Sequence, residues 1–98
     1  MVIVTGSIQA RPDTLDELVR VSLEHVHRSR AEPGCVSHDV HRDIEDPLRL
    51  VFVERWVDRA ALLAHFAVPE SGAFVRAASA LADGQPEMQL YDAELAQL

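Results

Sequence analysis

The chain has 98 residues, a net charge of −7 with histidines neutral, 48% apolar residues and a single cysteine. That length fits one domain, which buries about two thirds of the surface its unfolded chain exposes, and the composition is that of an ordinary globular protein. The acidic balance argues against nucleic acid or an anionic membrane as a partner, because both require a basic face, and no apolar run approaches the ~20 residues of a spanning helix.

The N-terminal stretch "MVIVTGSIQARPD" lacks the basic start and long apolar centre of a secretory signal, so a cytoplasmic protein is expected. Cys35 alone cannot form an internal disulfide. It reads as a small buried residue ahead of a reactive thiol. All nine basic residues are Arg, and Lys is absent, which removes Schiff-base and Walker-type phosphate chemistry. Asn is absent as well.

Residues 2–10, "VIVTGSIQA", are β-branched and roughly alternating, and "RPD" stops them, as a strand entering a turn would. "TLDE" then offers a capping box in which Thr14 and Glu17 answer each other's free backbone donors. Leu15, Leu18, Val19, Ser22, Leu23 and Val26 follow at helical spacing, predicting a helix to about residue 31. Pro33 and Gly34 in "EPGC" end it and reverse the chain.

Strand two is expected over 35–43, "DIEDP" is a turn, and "LRLVFVERW" is a third strand. Asp58 is a plausible cap for "RAALLAHF", which Pro69 and Gly72 interrupt before a further helix, "AFVRAASALA". A last strand is expected over 86–94. The order β-α-β-β-α-β, with its second helical region split, predicts a ferredoxin-like α+β sandwich over 1–98: an antiparallel sheet with helices on one face.

Strand periodicity sorts the third strand into two rows. Leu50, Phe52, Glu54 and Trp56 share one face, and Val51, Val53, Arg55 and Val57 the other. Helices on one side only would leave Val51 and Val53 in water, and such a patch marks an interface. A homodimer joined through the open sheet face is the simplest cover.

Five histidines raise metal binding. His38 and His41 are an odd number of residues apart on a strand and point to opposite faces, while His25 and His27 lie about 200° apart around a helix. Neither pair can chelate, no HExxH occurs, and no metal is expected. G-x-S-x-G and glycine-rich phosphate loops are missing too. Glu54, Trp56 and His65 remain. Trp56 ends a strand and His65 lies nine residues on, so one βα corner can bring indole and imidazole to a cavity walled by Phe66 and Phe74. The pocket would suit a flat apolar ligand beside a group that titrates near neutrality. The plainer alternative makes Trp56 core and His65 a satisfied surface residue.

At these residues the sequence resembles the antibiotic biosynthesis monooxygenase family of small dimeric α+β barrels. The match runs through "EPGC", "HRDIEDP", "FVERW" and "RAALLAH", and its most specific part is Glu-x-Trp followed nine residues after the Trp by His. The resemblance implies a ferredoxin-like protomer whose sheet packs against a second subunit. It also implies a choice of activities: oxygenation of polyphenols or quinols without metal or flavin, haem degradation in a related branch, or isomerisation of a phosphorylated sugar.

Carried over, it points to Trp56 and His65, with Arg76 a weaker match to an arginine used by some polyphenol-oxidising members. Both the polyphenol oxygenases and the haem-degrading relatives use a pocket asparagine that this chain lacks. Oxygenation without a cofactor needs a base and an anion-stabilising donor. His65, His38 or His41 are the candidate bases, Arg76 or the Trp56 indole N–H the candidate donors, and Phe52, Glu54, Phe66 and Phe74 the substrate-binding candidates. The expectation is a cofactor-independent monooxygenase consuming O2 and a small quinol- or anthrone-like aromatic. The alternatives are a non-catalytic dimeric ligand-binding or accessory protein, a haem-binding protein and an isomerase.

Overall fold

The computed structural model describes all 98 residues, Met1–Leu98. In chain order the elements are β1 (Val2–Gln9), α1 (Leu15–Ser29), β2 (Cys35–Arg42), β3 (Arg49–Trp56), α2 (Arg59–Ala67), α3 (Pro69–Leu81) and β4 (Glu87–Asp92). The four strands form one sheet in the order β2-β3-β1-β4, and every pairing is antiparallel. This is the ferredoxin-like α+β arrangement that the order of elements predicts. No helix is long and apolar enough to cross a membrane.

The β1–β3 register pairs Val2 with Trp56, Val4 with Glu54 and Ile8 with Leu50. Those residues form the inward row, and all of them are buried. Their neighbours Ile3, Thr5, Val51 and Val53 lie on the opposite face, which no helix of this chain covers, and are half-buried. The inward side divides into two apolar clusters. Ile8, Leu18, Val26, Leu50, Phe52 and Ala78 belong to the larger, which Ala10 and Ala82 extend. Val2, Val4, Trp56 and Leu62 form the smaller. Along β3, Phe52 belongs to one cluster, Trp56 to the other, and Glu54 stands at the seam.

The buried stripe of α1 is Leu18, Ser22, His25, Val26 and Ser29, so it is more polar than the apolar periodicity suggests. Leu23 lies at its margin, 42% exposed. The helix stops at Ser29, two residues short of the expected end. The capping box does not form. The Thr14 side chain makes no cap hydrogen bond; its hydroxyl donates to the Leu81 carbonyl at 2.7 Å instead, joining the start of α1 to the end of α3. A tertiary acceptor has replaced the local N–H donor as the partner of this hydroxyl.

Asp58 does cap α2, accepting from the Ala61 N–H at 2.9 Å. Pro69, expected to prolong a break as far as Gly72, occupies the first turn of α3. Its missing N–H has no helical partner to lose there. All six residues of β4 are exposed.

Gly34 closes the α1–β2 turn with φ +82°, and a Cβ at that position would lie 2.5 Å from Ala61 Cβ and 2.9 Å from Val57 Cγ2. Gly84 has a similar φ of +85° with nothing within 4 Å of its would-be Cβ. Left-handed strain alone costs about 1–2 kcal/mol and overpacking about 1–3 more. Gly34→Ala should therefore destabilise the protein by about 2 kcal/mol or more in urea denaturation, and Gly84→Ala by about half as much. Equal losses would mean that the contact with α2 is unimportant.

Candidate functional site

Three imidazoles from three elements meet at the seam between the apolar clusters. α1 contributes His25 through its buried stripe, β2 contributes His38 through its inward row, and α2 contributes His65. All three are at least 95% buried. Their ring centroids lie 5.2 Å (His25–His38), 5.3 Å (His25–His65) and 5.5 Å (His38–His65) apart. Arg30 fixes the approach of α1 to β2, donating to the His38 carbonyl at 2.9 Å and to Asp39 at 3.0 Å.

The three imidazoles differ in their partners. His65 Nδ1 lies 2.8 Å from Glu32 Oε1 in the α1–β2 turn, so in the neutral ring Nδ1–H donates to the carboxylate and Nε2 carries the lone pair. His25 Nδ1 lies 2.6 Å from the Arg28 guanidinium. Arginine can only donate, so a neutral His25 carries its proton on Nε2. His38 is fully buried, and neither of its ring nitrogens has a hydrogen-bond partner. Its Nε2 stands 3.3 Å from Glu54 Oε1, close but out of line. The Trp56 indole N–H donates to the same Oε1 at 2.9 Å, and the indole lies 4.6 Å from the His65 ring, tilted by 32°.

The charges follow from this packing. Burial, reinforced by His38, His65 and Arg28, pushes the His25 pKa down to about 3. Burial works against an ionised Glu54, yet His38, the Trp56 donor and His65 outweigh it and hold that carboxyl below its usual range. The seam thus presents an ionised carboxylate beside a neutral His25.

A cleft of about 120 Å3 opens between the sheet and α3, with Val4, Gly6, Phe52, Phe74 and Met88 among its walls. Glu54 and His25 border it as well. Phe74 stacks on His25 at 4.1 Å and meets Phe52 edge-on at 6.0 Å. The cleft therefore has aromatic walls and a polar inner end, with Trp56, His38 and His65 behind that end.

The structure gathers Phe52, Glu54, Trp56, His65, His38 and Phe74 into this region. It does not bring in the other three residues named from the sequence. His41 faces the open side of the sheet opposite Val51 and is exposed. Arg76 is exposed on α3, with its guanidinium near Gly72. Phe66 is 41% exposed, 5.8 Å from His65 and outside the cleft. The Trp56 N–H, a candidate anion donor, is already committed to Glu54. His25 is the residue that sequence reasoning missed. The pairs His25/His27 and His38/His41 diverge as their spacing requires, and one member of each then meets His65 across elements. A buried-stripe position three residues beyond Ser22 was the available signal.

Residues 1–77 match the antibiotic biosynthesis monooxygenase family. Fold and match agree, and the chain belongs to that family. An uncharacterized protein of Synechocystis sp. is 33% identical over 90 residues, 92% of this chain and 61% of its own length, so the chain spans about three fifths of that relative. A solved antibiotic biosynthesis monooxygenase superposes with a TM-score of 0.89 at 32% identity, covering 97% of this chain and 100% of the other. A protein of Pseudomonas aeruginosa gives 0.86 at 30% identity over 97% and 94% of the two chains.

His25 takes up a proton at ordinary pH only when unfolded, since its native pKa near 3 lies well below the ~6.5 of a free imidazole. Between those values the unfolded state binds more protons, so stability is full above about pH 6.5 and falls as pH falls. The groups facing His25 are His38, His65, Arg28 and, across the cleft, Glu54. Between pH 6.5 and 5, above the range of the carboxylates, the melting temperature should drop in the parent protein. His25→Gln should flatten that slope, and an unchanged slope would remove His25 as its source.

Proposed function

We propose that the protein is a cofactor-independent monooxygenase that oxidises a small quinol- or anthrone-like aromatic with O2. The observation carrying this reading is the aromatic-walled cleft ending on Glu54 and His25, and the family and its solved members support it. A flat ring lies in the cleft against Phe52 and Phe74, which both line it, with its acidic O–H or C–H directed at the inner end. Glu54 Oε1 is held by Trp56, and Oε2 makes no hydrogen bond within the chain.

Glu54 accepts the substrate proton, and His38, 3.3 Å away, can take it on once its ring turns into line with Oε1. His65, oriented by Glu32, is the next acceptor. The base is thus the linked cluster, and the His25 Nε2–H is the donor available to the developing oxyanion. The electron-rich anion passes one electron to O2, the radical pair combines to a hydroperoxide, and loss of water leaves a carbonyl. One oxygen atom enters the product, the other leaves as water, and the substrate supplies both hydrogens.

Oxygen-electrode assays over a panel of anthrones and hydroquinones should find at least one compound consumed with O2 and converted to a quinone that carries one added oxygen atom. Glu54→Gln and His65→Ala should each slow turnover by about 10²–10⁴-fold, the range for loss of general acid–base catalysis. Stopped turnover with a retained melting temperature separates that role from a structural one. A panel that binds without oxygen uptake would establish the accessory-protein reading in its place.

The same proposal includes a homodimer through the open sheet face, where Val51 and Val53 lie half-buried beside Ile3. At ~25 cal/mol per Å2, a few hundred Å2 of apolar area contributes several kcal/mol toward association before entropic costs. Sedimentation should give a dimer at micromolar concentration, and Val51→Asp should dissociate or unfold it. A monomeric parent protein would remove this part of the proposal.

A further inference from the structure

The three imidazoles can do something besides move protons. One ligating atom from each of His25, His38 and His65 can be chosen so that all lie within 4.8 Å of one another. We propose that these residues form a three-histidine site for a divalent late first-row transition ion, of which zinc is the reference, at the inner end of the cleft.

Four observations carry the inference. His65 is already arranged as a metal-ligating histidine is: its Nδ1 meets the Glu32 carboxylate at 2.8 Å, leaving Nε2 without a hydrogen-bond partner in the chain. His38 is fully buried with both nitrogens unpartnered. A buried polar group in that state is costly unless something answers it, and a bound cation would. The carboxylates of Glu54, 3.3 Å from His38, and Glu32 supply the negative charge that a desolvated dication needs. Lastly, the three ligands come from α1, β2 and α2, so the fold brings them together without any local chelating motif.

The chemistry of the donors selects the ion. Neutral imidazole suits zinc, copper, nickel and cobalt, whereas magnesium and calcium require oxygen ligands. Zn–N bonds of about 2.0–2.1 Å separate tetrahedral donors by roughly 3.4 Å, so donor atoms that now lie up to 4.8 Å apart must close by up to about 1.4 Å. Three protein ligands leave a fourth position for water or substrate.

His25 sets the limit on affinity. Its Nδ1 is held by Arg28 at 2.6 Å, so the ring enters the metal's shell only by exchanging that hydrogen bond. Arg28 also adds an opposing positive charge. Both effects predict a site of modest affinity that tightens when Arg28 is removed. An ion there would take the lone pairs that proton transfer uses, so metal loading and the monooxygenase reaction should exclude each other.

The test needs no substrate, so its failure leaves the oxygenase reading standing. Metal-free protein is titrated with zinc chloride by calorimetry and with cobalt chloride by visible absorption. One ion per chain should bind with micromolar affinity, and cobalt should show the intense absorption of a tetrahedral site. Arg28→Met should bind zinc more tightly than the parent, Glu32→Gln about 10–100-fold more weakly, and His38→Gln should lose the stoichiometric event. Should His38→Gln fail to fold, imidazole nitrogen NMR of the parent decides. Zinc should shift His25, His38 and His65 and leave the exposed His27 and His41 in place. Binding weaker than millimolar, or shifts confined to His27 and His41, overturns the proposal.

Discussion

A carboxylate in the inward row of β3 is the constraint around which the rest of the site is arranged. Glu54 lies between Phe52 and Trp56 on the face that packs against the helices, where an isolated ion would be strongly disfavoured. The fold answers it three ways. The Trp56 indole donates to it, His38 of the neighbouring strand stands 3.3 Å off, and a cleft gives it an aqueous boundary. Replace Glu54 with an apolar residue, and the two apolar clusters could merge into one. The charge stands between them, and the candidate site lies at that gap.

The helices then complete what the sheet begins. α1 crosses β2 with a partly polar stripe, and Arg30 ties its end to the backbone of His38. α2 starts at a well-formed Asp58 cap immediately after β3, so His65 is delivered beside Trp56 by a short connection. α3 supplies Phe74, which stacks on His25 and closes the aromatic wall. Each imidazole therefore rests on a different rigid element, and the geometry of the cluster depends on all of them. Single substitutions here are expected to move neighbours, so their effects should not add.

Cofactor-independent oxygenation and metal binding draw on the same atoms in opposite ways. One needs imidazole lone pairs free to accept protons, and the other occupies them. The hydrogen bond between Arg28 and His25 favours the first state by holding Nδ1 and placing the proton on Nε2. Glu32 on His65 is compatible with either. Under the two proposals a single side chain, Arg28, would thus bias which chemistry the cluster performs.

The sequence by itself determined the order of strands and helices, the two-row split of β3, the Asp58 cap and the proximity of Trp56 to His65, because each follows from a period, a turn or a short connection. It also placed His38 and His41 on opposite faces. It misjudged Thr14, whose hydroxyl found a distant carbonyl in place of the local donor, and Pro69, which begins a helix it was expected to hold apart. Only the tertiary structure decided that His25 joins His38 and His65, since that depends on how α1 lies across β2 and how α2 folds back over the sheet. Residues 13 and 27 positions apart leave no periodic trace of such a meeting. Their contact is set by packing between elements, and local patterns in a chain do not encode it.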